Sequence, residues 1–82
     1  MNASLIFNKR VSDLEIDNLT KLISKHCEVV KFISLSSTNQ ESTVCFDLVP
    51  KNFSSISKIK TDLKKINKDI KIIFLQDNVL TL

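Results

Sequence analysis

The chain has 82 residues, of which 43% are hydrophobic and 26% are charged, and its formal net charge is +3. This composition excludes a disordered chain, and the length accommodates one domain, which we assign to residues 1–82 with an ordered core over about 3–76. The chain has no glycine, so a glycine-rich phosphate-binding loop is excluded.

The first predicted strand is the apolar segment 3–7, which ends in polar residues. Ser12 and Glu15 then have the spacing of a capping box, and Val11 and Ile16 have that of a hydrophobic staple. Both local signals predict that a first helix begins here. Apolar residues recur at helical spacing after this point: Ile16, Leu19, Leu22, Ile23 and Cys27.

Two runs rich in β-branched and aromatic residues, 29–35 and 43–49, are separated by polar turn residues. This pattern predicts an antiparallel hairpin. In the second run, apolar residues alternate with Thr43, Cys45 and Asp47, so we expect these three side chains on an uncovered sheet face. A following proline ends the run because proline cannot donate to a strand ladder.

A second amphipathic helix is predicted to begin at Asn52, which has a capping side chain. Its apolar positions recur at intervals of three and four residues: Phe53, Ile56, Ile59, Leu63 and Ile66. Its other faces carry lysines: Lys58, Lys60, Lys64, Lys65 and Lys68. A fourth strand is predicted over residues 70–76, and residues 77–82 are predicted to form a tail or the start of a linker.

The predicted order of elements is βαββαβ, with each helix apolar on one side only. Such elements bury their apolar sides most simply when both helices pack on one face of a four-stranded antiparallel sheet. We therefore predict an α+β fold of the ferredoxin-like type, a two-layer sandwich. The other sheet face must then meet solvent or a partner.

We expect a cytoplasmic protein that does not cross a membrane. The longest apolar run, 72–75, is much shorter than the roughly 20 residues of a membrane-crossing helix, and residues 1–10 lack the apolar region of a signal peptide. The two cysteines, Cys27 and Cys45, are too few for a disulfide framework or a four-ligand metal site. We predict no metal and no cofactor.

No complete catalytic constellation is apparent. The segment 44–49 superficially resembles the nucleophile strand of haloacid-dehalogenase-type phosphatases, but Val49 stands where the second aspartate, two residues after Asp47, is required. His26 and Cys27 are neighbours whose side chains would point about 100° apart on a helix, which is poor geometry for a nucleophile and its base. We predict no catalytic residues.

The loop before the first helix is the candidate ligand site. The backbone N–H groups at a helix start can receive a carboxylate or a phosphate, although the capping box uses some of them. The candidate residues are Asn8, Lys9, Arg10, Val11, Ser12 and Asp13.

The order of elements and the length resemble the ACT family of small-molecule-binding regulatory domains over residues 3–76. Within that family, segment 70–78 is similar to the end of the N-terminal domain of some phosphoserine phosphatases. The resemblance implies a non-catalytic regulatory, amino-acid-binding or dimerisation module of serine biosynthesis, with a ligand such as serine. Phosphoserine hydrolysis would then belong to an attached catalytic domain. The loop of this chain departs from the family, which often has a glycine there.

We expect a homodimer, or an interface with an attached domain, because apolar side chains of the last strand must lie on the uncovered face or edge. On the last strand these are Ile73 and Leu75, or else Ile72 and Phe74. The predicted interface residues are Cys45, Ile73 and Leu75. The alternative is a nucleic-acid-binding domain of the RNA-recognition type, which has the same topology. We do not expect nucleic acid as the partner, because that fold uses outward aromatic residues on its third strand, and the outward residues here are not aromatic.

Overall fold

A computed structural model describes residues 1–76; residues 77–82, which include the predicted tail, lie outside the described part. The elements follow the predicted βαββαβ order: β1 (Asn2–Phe7), α1 (Asp13–Ser24), β2 (Cys27–Ser37), β3 (Ser42–Pro50), α2 (Ser54–Ile66) and β4 (Lys71–Leu75).

The four strands form one antiparallel sheet in the order β2-β3-β1-β4. Strand β1 is central and pairs with both β3 and β4, so β2 and β4 form the two edges. A register shift between Phe32 and Ser34 marks an irregularity in the pairing of β2 with β3. The α+β, ferredoxin-like prediction is confirmed.

One face of the sheet is covered by both helices. The fully buried strand residues Leu5, Val44 and Phe46 belong to the same core cluster as Ile23 of α1 and Ile59 of α2. Side chains alternate along a strand, so their neighbours lie on the opposite face, which neither α1 nor α2 covers. We call this uncovered surface the open face.

The start of α1 is set by the two local signals found in the sequence. Ser12 is the N-cap, and its hydroxyl accepts a hydrogen bond from the Glu15 backbone, while the Glu15 carboxylate accepts one from the Ser12 backbone. Val11 and Ile16 are both buried, as expected for a staple. The predicted helix start is confirmed.

Three apolar positions depart from the buried stripes that helical spacing predicts. Ile66, the last residue of α2, is 57% exposed. Cys27 was placed on the stripe of α1, but the helix ends at Ser24 and Cys27 is the first residue of β2, where it is still buried. Phe53 was placed on the buried side of α2, but its side chain is fully exposed. Asn52, predicted as the cap, accepts hydrogen bonds from Ser54 and Ser55, but the N-cap is Phe53, whose side chain forms no capping hydrogen bond.

Candidate functional site

The open face carries the three residues predicted as an interface. Cys45 is half-buried, whereas Ile73 and Leu75 are 45% and 58% exposed. Ser4 lies between Cys45 and Ile73 in the register of the sheet, and its hydroxyl oxygen is 3.3 Å from the Cys45 Sγ. The open face therefore has a polar centre with aliphatic side chains towards its margin.

The far side of the open face adds further aliphatic surface. Val29 and Val49 face each other across the β2–β3 pairing and are 54% and 48% exposed. Between this pair and the centre, Lys31 lies opposite Asp47. A shallow depression of about 300 Å³ runs over the face, lined by residues that include Ile33. The open face therefore combines exposed aliphatic side chains with the charged residues Lys31 and Asp47.

No phenylalanine ring lies on the open face of the described sheet. Phe7 and Phe46 are buried, and Phe32 packs edge-on against Phe46 with ring centroids 6.1 Å apart. Phe74 is on the helix-covered side, opposite Ala3 in the register. The described strands thus offer no aromatic platform on which bases could stack.

The loop before α1 is anchored to the sheet but mostly exposed. The Val11 backbone N–H donates to the Ser42 hydroxyl at 3.0 Å, and both residues are buried. The other five candidate ligand residues are exposed: Asn8, Lys9, Arg10, Ser12 and Asp13. The structure thus brings all six candidates together in one loop with a single buried anchor.

The capping box uses part of the hydrogen-bonding capacity of this loop. It engages the N–H groups of Ser12 and Glu15 but not those of Asp13 and Leu14. The bond from the Ser12 backbone, followed by the Lys9 ammonium 3.4 Å away, lowers the pKa of Glu15. The exposed Asp13 carboxylate makes no ion pair with residues 1–76.

His26 pairs with Asp62 of α2, a contact that the sequence analysis missed. The His26 Nε2 lies 2.8 Å from the Asp62 Oδ2, and the hydrogen bond to His26 lowers the pKa of Asp62. Burial raises the pKa of the neighbouring Cys27 thiol, which is only 5% exposed. The arrangement therefore joins the end of α1 to α2 and does not activate the thiol.

Within residues 1–76, no group of three or more His, Cys, Asp or Glu side chains could hold a metal ion. No helix in the same range is long and apolar enough to cross a membrane.

A scan against protein-family models finds no match to this chain, and neither does a search of curated proteins. The similarity to ACT domains thus stays a prediction.

Proposed function

We propose that this domain is a non-catalytic regulatory module that dimerises through its open face and binds a small amino acid, such as serine, in the loop before α1. Its placement as the N-terminal domain of a phosphoserine phosphatase extends this proposal and comes from the resemblance alone. The observation that carries the proposal is the open face, which exposes five aliphatic side chains on the side of the sheet opposite both helices: Val29, Ile33, Val49, Ile73 and Leu75.

The chemistry of an α-amino acid supports the loop as its site. Such a ligand presents a carboxylate, which backbone N–H groups at a helix start can bind, and an ammonium group, which needs an anion. The N–H groups of Asp13 and Leu14 lie at the positive end of α1, and the Asp13 carboxylate is exposed beside them. The loop therefore contains both kinds of group within two adjacent residues.

Dimerisation is tested by sedimentation equilibrium of the wild type and of two matched variants. Leu75→Lys puts a charge on the open face, where burial would require its desolvation, and we expect it to weaken the dimer at least about tenfold. Leu14→Lys makes the same chemical change on α1, where Leu14 is 70% exposed, and should leave the dimer unchanged. A wild type that stays monomeric at millimolar concentration would refute the homodimer, and so would equal losses in the two variants.

Amino-acid binding is tested by calorimetry with serine at millimolar concentrations. We expect heat of binding from the wild type and from Asp69→Asn, which removes a carboxylate from the exposed turn after α2. Asp13→Asn should weaken binding because the ligand ammonium loses its counter-charge. No heat with serine or with other amino acids would remove this part of the proposal.

The surface of α2 and the turn after it favours nucleic acid binding as a second candidate. Six exposed lysines lie there and on the start of β4: Lys58, Lys60, Lys64, Lys65, Lys68 and Lys71. Contacts between lysines and phosphates would give an RNA affinity that falls steeply as salt rises. Salt-independent or absent binding of a single-stranded RNA would exclude this candidate.

A further inference from the structure

Strand β2 is a long edge strand with one unpaired side. It spans 11 residues, pairs with β3 on one side and has no strand neighbour on the other within residues 1–76. Most of its side chains are exposed, among them Phe32 at 42%. The unpaired N–H and C=O groups of such an edge can pair with an added strand.

A groove runs along this edge, between β2 and the flank of α1. It encloses about 550 Å³ and has apolar and acidic walls: Asp13, Ile16, Asp17, Thr20, Phe32 and Leu35. The Thr20 hydroxyl is already used, because it donates to the Ile16 carbonyl at 2.8 Å. Asp13 and Asp17 are exposed and make no ion pair with residues 1–76.

We infer that an extended segment of a partner protein pairs with the outer edge of β2 and places a basic side chain in this groove, against Asp17. Side chains of an added strand would alternate between the open face and the side covered by the helices. Those on the helix side would contact α1, the Phe32 ring and the aliphatic side chains of the groove. On the face of the added segment that points towards the helices, apolar and basic side chains therefore follow one another.

Charge complementarity favours such a partner over a second copy of this chain that pairs through its own β2. On the helix side, β2 presents Val30, Phe32 and Leu35, and the other edge strand presents Ile72 and Phe74. None of these is basic. The lysines of the two edge strands, Lys31 and Lys71, are opposite open-face residues in the register. Pairing of β2 with the β2 of a second copy would thus leave the acidic groove without counter-charge. The β4 edge is flanked on the helix side by Lys60 of α2, whose Nζ lies 5.6 Å from the centre of the Phe74 ring, so self-association through β4 is the competing outcome of the test.

The test uses a fluorescent seven-residue peptide of sequence Thr-Arg-Thr-Leu-Thr-Arg-Thr. In an extended strand its two arginines and its leucine share one face. A matched peptide has glutamate in place of both arginines. We expect the arginine peptide to bind about tenfold more tightly by anisotropy, because two ion pairs replace two repulsions. In NMR spectra it should shift the backbone amides of β2.

Three controls keep the test specific. Asp17→Asn should weaken binding of the arginine peptide about threefold, whereas Asp69→Asn should not. An arginine peptide with alternate N-methyl groups keeps its side chains but cannot form the ladder, and it should not bind. Amide shifts confined to other strands would overturn the inference. Equal binding of the arginine and glutamate peptides would also overturn it. So would protection of the β2 amides from hydrogen exchange when the free protein self-associates.

Discussion

Replacing Ser42 with alanine should loosen the loop before α1 and destabilise the whole domain. Ser42 is fully buried, and its hydroxyl accepts the Val11 N–H at 3.0 Å and lies 2.9 Å from the Ser37 hydroxyl. Val11 is 7% exposed, so water cannot readily replace the lost acceptor. An unsatisfied buried donor costs about 1–3 kcal/mol, and we expect a loss of about 2 kcal/mol from Ser42→Ala.

Urea denaturation followed by circular dichroism measures this loss. In a domain of this size a loss of about 2 kcal/mol lowers Tm by about 8–16 °C. Hydrogen exchange at the Val11 amide should also become faster, since this amide loses its partner. Ser36→Ala makes the same chemical change at an exposed position of β2 and should alter the free energy of unfolding by less than about 0.5 kcal/mol.

Ser37→Ala distinguishes the two bonds of Ser42. It removes the exposed partner but leaves the Val11 N–H satisfied, so its effect should also be small. If Ser42→Ala were as stable as the wild type within about 0.5 kcal/mol, the assignment of Ser42 as the anchor of this loop would be wrong.

Three further predictions concern separate elements. Ser12→Ala should cost about 1 kcal/mol in urea denaturation, because α1 loses its cap; an unchanged midpoint would contradict this. Asp62 has a lowered pKa in the folded protein, so its contribution to stability is present above about pH 4 and is lost as the pH falls further; Asp62→Asn should flatten the stability profile there, and identical profiles would exclude the effect. Phe53→Ser should change stability by less than about 0.5 kcal/mol, since the ring is fully exposed, and a larger loss would show that it packs.

The features that sequence analysis predicted well depend on residues close in the chain. The start of α1 follows from Ser12 and Glu15, three positions apart, and the outward side chains of β3 follow from strict alternation. Helical spacing was misleading at Cys27, because a buried residue just after a helix fits the same spacing as one within it. It was also misleading at Phe53, which precedes the first residue of α2 and is fully exposed, whereas Ser55 in the first turn is buried.

The contacts that shape the candidate sites could not be predicted in this way. His26 and Asp62 are 36 positions apart, and Val11 and Ser42 are 31 apart. Each pairing depends on how the helices and strands pack together, which a single sequence does not specify. The six loop residues were predicted as a group, whereas the groove beside β2 appears only when α1 is placed over the sheet edge.

No non-glycine residue among 1–76 has a positive φ, and glycine is absent from the chain. Every described turn is therefore built from backbone conformations that alanine also adopts readily. Alanine scanning of this domain should then report side-chain contributions with little backbone strain mixed in. Replacement by glycine at any turn would relieve nothing and would only widen the unfolded ensemble, at a cost of about 0.5–1 kcal/mol for each site.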